Sequence, residues 1–322
     1  MKTSHPPLRI LSIRRRPLAT AAFALIGSAC LFTTASAQTQ IAGLMDDGRV
    51  VLADGVSATF SSSRTDIATF STNSGANPFV DVTFGGGLVY GLRDDGAVFS
   101  TDLSGNVSTV STTGWGSVSR IDYANGGLFG LDAGTNSTIL DTGGTARVTV
   151  NGFTAGDLGV RSNGTFSLMN DAASTFVYTY ADGYSGVTSG FVTNGFTNFN
   201  NSQEGVTLEV NDALATVISI NGSTGADVWR SQDGLGSGIV FEDNNVPNTI
   251  SIALTPDNAT AYFMEANNGT IRVADLGGSG ESFLGGLRTG TGVGVVVIPE
   301  PASASLLLAG LAGLLVLRRR RS

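Results

Sequence analysis

The residues best able to do chemistry in this chain are carboxylates, because the usual nucleophiles and bases are nearly absent. The 322-residue sequence has one histidine, His5, and one cysteine, Cys30. Both lie in the first thirty residues, in a stretch that reads as a removable leader. Without them the remaining chain has no imidazole or thiol for zinc ligation, a Ser-His-Asp triad or a Cys-His dyad, and it can form no disulfide. Acids remain in several groups. Asp46-Asp47-Gly48 and Asp94-Asp95-Gly96 place paired carboxylates on tight loops, and Asp132 to Asp141 offers oxygen ligands at spacings that suit a hard cation such as calcium. None keeps a full alternate-ligand loop with a closing glutamate, so hairpin turns are the plainer reading. Glu242-Asp243-Asn244-Asn245 reads as an acidic loop. Its carboxylates could act on a glycoside only if the fold set them at the right separation. Gly85-Gly86-Gly87 and Gly143-Gly144 lack the helix and lysine of a phosphate loop. No catalytic, cofactor or metal residue is therefore assigned. Calcium is the one ion the composition would suit, and the expectation is a protein that is not an enzyme.

The elements around these residues read as strands. From about Gln40 to Ile298 the chain is rich in Gly, Ser, Thr, Asn and Val, with short apolar runs between Gly, Asn and Asp turns and no long helical period. A strand–turn–strand unit recurs. It appears at Ile41–Val51, Leu88–Phe99 and Gly127–Gly134, more loosely at Asp157–Phe166 and Thr207–Asp212, and again at Ser251–Met264. Return strands follow at Ala97–Thr101 and Thr270–Ala274. Asp-Gly and Asn-Gly accept positive φ and suit tight hairpins. One small sheet cannot bury both its faces, so such units must stack, and radial stacking gives a β-propeller. The expected fold is all-β, a propeller of five to seven four-stranded blades. A β-sandwich or β-solenoid is the alternative if the uneven unit lengths do not mark blades. Trp115 and Trp229 are expected to pack between blades, with a carbohydrate platform as the other reading. Phe191, Phe196 and Phe199, within the aromatic and polar alternation of residues 185–203, could stack on sugar rings or fill an edge.

Charge and termini describe a route. From Asp46 onward the chain carries nine arginines up to Arg288, no lysine and, with Glu300, all 26 acids, a formal charge of −17. So acidic a surface disfavours nucleic acid, whose phosphates need Lys and Arg. Arg9 and Arg14-Arg15-Arg16, an apolar Leu18–Phe32 and a small-residue site at Ala35-Ser36-Ala37 make residues 1–37 a secretory signal peptide. A twin-arginine route and a lipoprotein cysteine at Cys30 are the less favoured readings. At the other end, Pro299-Glu300-Pro301 precedes an apolar run, Ala302–Leu317, and the basic cluster Arg318-Arg319-Arg320-Arg321. As a helix the run is about 24 Å long, slightly short of a hydrocarbon core of about 30 Å, and snorkelling arginines cover the difference. The positive-inside rule keeps those arginines cytoplasmic and puts the preceding chain outside.

The order Pro-Glu-Pro, apolar helix, arginine cluster resembles the PEP-CTERM sorting signal of Gram-negative bacteria. The resemblance covers the tail alone. It implies recognition by an exosortase, a membrane-embedded enzyme similar to a cysteine transpeptidase, and an association with exopolysaccharide and biofilm. The unit Leu254-Thr255-Pro256-Asp257, Ala261-Tyr262-Phe263 and Asn268–Leu276 resembles a blade of the YVTN or lactonase-like propellers, with Thr255 and Asn258 departing from the usual Ser and Gly. The expected organisation is a signal peptide (1–37), a secreted propeller-like domain (38–284), a flexible Gly-rich linker (285–297) and the sorting signal with its transmembrane helix (298–322). The expected protein is anchored transiently in the inner membrane by its tail and then resides at the cell surface or in the extracellular matrix. Its expected partners are the exosortase and exopolysaccharide, with no nucleic acid. The alternative is a lactonase- or glycosidase-like hydrolase using carboxylates and calcium in a central channel. That reading requires several acids to converge there.

Overall fold

The computed structural model describes residues 39–71, 77–170, 177–187, 203–211, 215–221, 225–232, 235–243, 249–276 and 281–299. All belong to the second of two compact units, Gln38–Ser322. The predicted signal peptide, Glu300-Pro301, the apolar run and the terminal arginines lie outside the described residues, as do Phe191, Phe196 and Phe199. No helix among the described residues is long and apolar enough to cross a membrane.

The chain opens with β1 (Gln40–Met45), β2 (Arg49–Asp54), a short helix α1 (Ser57–Ser63) and β3 (Thr65–Thr69). It continues with β4 (Phe79–Gly85), β5 (Leu88–Arg93), β6 (Val98–Asp102) and β7 (Val107–Val110). Then come β8 (Val118–Ala124), β9 (Gly127–Ala133), β10 (Ser137–Asp141) and β11 (Ala146–Asn151). They are followed by β12 (Ala155–Val160), β13 (Phe166–Asn170), β14 (Val177–Tyr180) and β15 (Tyr184–Val187). The last strands are β16 (Gln203–Val210), β17 (Ala215–Asn221), β18 (Gly225–Gln232), β19 (Leu235–Asp243), β20 (Thr249–Leu254), β21 (Thr260–Glu265), β22 (Thr270–Asp275), β23 (Glu281–Gly286) and β24 (Gly292–Ile298).

Among the described residues these strands form six sheets. Blade 1 is β24-β1-β2-β3, blade 2 is β4 to β7, blade 5 is β16 to β19 and blade 6 is β20 to β23. Blade 3 holds five strands, because β15 pairs parallel with β11, and blade 4 holds three. The inner strands touch in a closed circle: β24 meets β4, then β8, β12, β16 and β20 in turn, and β20 returns to β24. The molecule is a β-propeller of six sheets, within the expected range, although blades 3 and 4 depart from the expected four strands.

Turn chemistry sets the hairpins. Between β8 and β9, Asn125 and Gly126 have φ of 51° and 78°, the paired positive values of a tight turn whose twist matches the strands. Gly96 has φ 80°, and a Cβ there would lie 1.9 Å from the Trp115 carbonyl oxygen. The core sits between blades. Phe70, Phe79 and Phe99 cluster at centroid separations of 5.6 to 5.9 Å where blades 1 and 2 meet. Burying such a side chain contributes roughly 1.5–3 kcal/mol. Trp115 is 2% exposed between blades 2 and 3, and its indole N–H donates to the Asp141 carbonyl at 2.9 Å.

Blade 1 corrects the expected linker at 285–297. Its second half is β24, the innermost strand of the propeller, paired antiparallel with β1 from Gln40↔Ile298 to Leu44↔Gly294. The first and last strands thus close the ring in one sheet, and the domain runs through Ile298 rather than ending at 284. The glycines that read as flexible are there for proximity. A Cβ on Gly292 would lie 2.7 Å from Met264 Sδ, and one on Gly294 would lie 2.6 Å from Val82 Cγ1. The β-branched residues around them, Val293 and Val295 to Ile298, favour a pleated strand.

Candidate functional site

Each inner strand carries one register shift near its start, where one residue is skipped in the pairing with the next strand outward. The skipped residues are Val80, Ser119, Gly156, Val206, Ile250 and Val293. Such a bulge adds local twist and re-aims the side chains that follow. Counting from it aligns the six strands. One residue on stand Asp81, Arg120, Asp157, Thr207, Ser251 and Gly294. Two further on stand Thr83, Asp122, Gly159, Glu209, Ala253 and Val296. Between these rows lie Val82, Ile121, Leu158, Leu208, Ile252 and Val295, each no more than 8% exposed. The period of two along a strand therefore separates two channel rows from an apolar row packed between blades.

Asp81, Asp122, Asp157 and Glu209 line one central cavity of about 150 Å³ together with Thr83 and Ser251. A wider vestibule of about 390 Å³ opens beside Asp46, Asp81, Arg120 and Asp157. The side chains fasten one blade to the next. Asp81 accepts from the N–H of Val82 on its own strand at 2.9 Å and from that of Ile121 on blade 3 at 2.6 Å. Asp122 accepts from its neighbour Tyr123 at 2.7 Å and from Val160 on blade 4 at 2.6 Å. Asp157 accepts from Leu158 at 2.8 Å and from Leu208 on blade 5 at 2.7 Å. Glu209 accepts from the N–H of Leu254 on blade 6. The Ser251 hydroxyl accepts from Val295 on blade 1 at 3.2 Å. The two rows alternate: the first row joins blades 2–3, 4–5 and 6–1, and the second joins 3–4 and 5–6. At the remaining junction, blades 1 and 2, the fastening is apolar, with Val296, Val82 and the Phe70 cluster.

Burial raises every one of these carboxyls. It lifts Asp81 to about 7 against the opposing Arg120 guanidinium, with Asp157 adding to the rise. It lifts Asp122 to about 7 against the N–H groups of Val160 and Tyr123 and the Thr83 hydroxyl. Asp157 is raised by burial and held back by Arg120, whose Nε lies 3.7 Å from Oδ1. Glu209 is pushed well above the usual carboxylate range by burial and by Asp122, Asp157 and Asp81. Desolvation and like charge favour the neutral acid, as is usual for clustered carboxyls.

The acids singled out from the sequence lie elsewhere. Asp46-Asp47-Gly48 and Asp94-Asp95-Gly96 are hairpin turns. Asp47 pairs with Arg49 at 2.7 Å, and Asp95 accepts from Arg93 Nε at 2.8 Å. Asp141 accepts from the Thr145 N–H at 2.9 Å within its own turn. Glu242 and Asp243 close β19, opposite Asp227 and Ala226, which corrects the reading of an acidic loop. Among the described residues, no group of three or more His, Cys, Asp or Glu side chains is arranged to hold a metal ion. Trp229 lies on β18, and its side chain is outside what is described. Pro299 is exposed directly after β24. Sequence reasoning missed the channel set. Its signal was a single acid between apolar neighbours on a strand, as in Val80-Asp81-Val82 and Leu208-Glu209-Val210, where acids are ordinarily depleted.

No family model matches the chain, and a search of curated proteins found no match. Among solved structures, a chain of a nidogen/laminin complex aligns over 81% of this chain and 98% of its own, with a TM-score of 0.58 and 10% identity. The WD40 β-propeller domain of Doa1 aligns over 76% and 78%, with a TM-score of 0.49 and 13% identity. At such identity the likeness is one of fold alone, and the closed circle of six sheets is what makes the domain a β-propeller.

Proposed function

We propose that this chain is an exported, non-enzymatic protein of the cell surface or extracellular matrix, sorted by an exosortase and associated with exopolysaccharide. The observation that carries the reading is the tail, in which Pro299-Glu300-Pro301, an apolar run and four arginines follow one another without interruption. The leader at residues 1–37 and the acidic, lysine-free body agree with export. The channel supports a structural role for its acids, since Asp81, Asp122 and Asp157 each already accept N–H groups from two strands.

The test is replacement of Pro299, Glu300 and Pro301 in the full chain, followed by fractionation of the producing cells. The reading expects the variant to stay at the inner membrane while the wild type is released or transferred outward. Equal release of both removes it.

One observation favours the second reading, a carboxylate-dependent hydrolase: four acids do converge in one cavity. A turnover assay on lactones and aryl glycosides discriminates. Activity abolished by Asp122→Asn would establish the hydrolase, and its absence in the folded wild type favours the first reading.

A further inference from the structure

Among the described residues the channel brings together more carboxyls than cations. Asp81 comes from β4, Asp122 from β8, Asp157 from β12 and Glu209 from β16, all around one cavity of about 150 Å³. Arg120 on β8 is the one cation among the described residues lining the cavity or its vestibule. It stands in the first row and favours the ionised form of Asp81 and Asp157, whereas for Asp122 and Glu209 in the second row the leading effect is burial. The other titratable groups on these walls are Tyr123 on β8 and Asp46 at the vestibule. β20 and β24 contribute Ser251 and apolar side chains only. Four carboxyls in so confined a space cannot all ionise cheaply. Each also spans a junction between blades, so the charge that repels is located on the bonds that hold the ring.

We infer that the channel is a proton-responsive element of the ring: protonation of its carboxyls relieves their mutual repulsion and the cost of burying charge, which stabilises the folded ring in mildly acidic medium, and their ionisation destabilises it as the medium turns alkaline. The sign follows from linkage. Asp81 and Asp122 lie at about 7 in the folded chain, and an aspartate in an unfolded chain lies near about 4. Between these values the folded chain holds protons that the unfolded chain has released. The stabilisation is therefore complete below the unfolded value and is lost as pH rises through the folded one. Arg120 opposes the effect by favouring the ionised form of its two neighbours. The alternation of the rows spreads the response over four consecutive junctions, from blades 2–3 to 5–6, and leaves the apolar junction between blades 1 and 2 outside it.

The experiment is thermal melting of the full chain in neutral detergent, from about pH 5 to about pH 8.5, a range that brackets the folded values. The expected result is a melting temperature that falls as pH rises through neutrality. Arg120→Gln should move that fall to higher pH, because it removes the cation that favours ionisation. A flat or rising profile in the wild type, or an unmoved midpoint in the variant, overturns the inference. Should Arg120→Gln fail to fold, infrared spectra of the wild type with isotope-labelled aspartate decide. A protonated-carboxyl band present in mild acid and lost in mild alkali supports the inference, and no such band in mild acid overturns it.

Discussion

Asp157 shows how much one side chain does in this ring. It is 6% exposed and gathers the N–H groups of Leu158 and Leu208, the Thr207 hydroxyl at 3.1 Å and the Arg120 guanidinium. Asp157→Ala would leave two backbone donors without an acceptor, each costing roughly 1–3 kcal/mol, and would remove one of the carboxyls beside Arg120. Denaturant unfolding should show a destabilisation of that order without loss of strand content. Gly96 acts through the backbone instead. With φ at 80° and a Cβ position 1.9 Å from the Trp115 carbonyl oxygen, Gly96→Ala should cost at least the roughly 1–2 kcal/mol of a left-handed L-residue, read as a lowered melting temperature. Gly87 is a control: its φ is also positive, at 82°, yet nothing lies within 4 Å of its Cβ position, so Gly87→Ala should cost less.

At the scale of elements, β24 is the decisive strand. It pairs with β1, lines the channel and touches the inner strands on either side, β4 and β20. A chain ending after Asn268 or after Thr291 should fail to close and should unfold non-cooperatively. One ending after Pro299 should melt as cooperatively as the full chain, with calorimetry as the check. This strand also marks the limit of what the sequence made legible. Gly292 and Gly294 suggest a tether because glycine lowers local strand propensity, and only the packing of Met264 and Val82 against them shows why side chains are excluded. The repeat was visible but its phase was not. Ile41–Val51 and Leu88–Phe99 are second and third strands of their blades, whereas Ser251–Met264 spans the first and second. Hairpin chemistry is alike at either place, so turn residues revealed hairpins and not positions within a blade. The channel acids stayed hidden for a related reason. Asp81 and Asp122 share one cavity only because the inner strands of neighbouring blades pack side by side, and no spacing along the chain encodes that packing.

For the whole molecule, a ring fastened by carboxyls at four junctions, a serine at the fifth and apolar packing at the sixth runs without a described break into Pro299. The proposed route places the processing enzyme where the folded body ends, since residues up to Ile298 are held in the closing strand. The most direct test is mass spectrometry of the C-terminus of the protein recovered outside the producing cells. The account predicts a chain that retains Ile298 and lacks Arg318 to Arg321. Recovery of the intact tail in released material, or of a terminus inside β24, would contradict it.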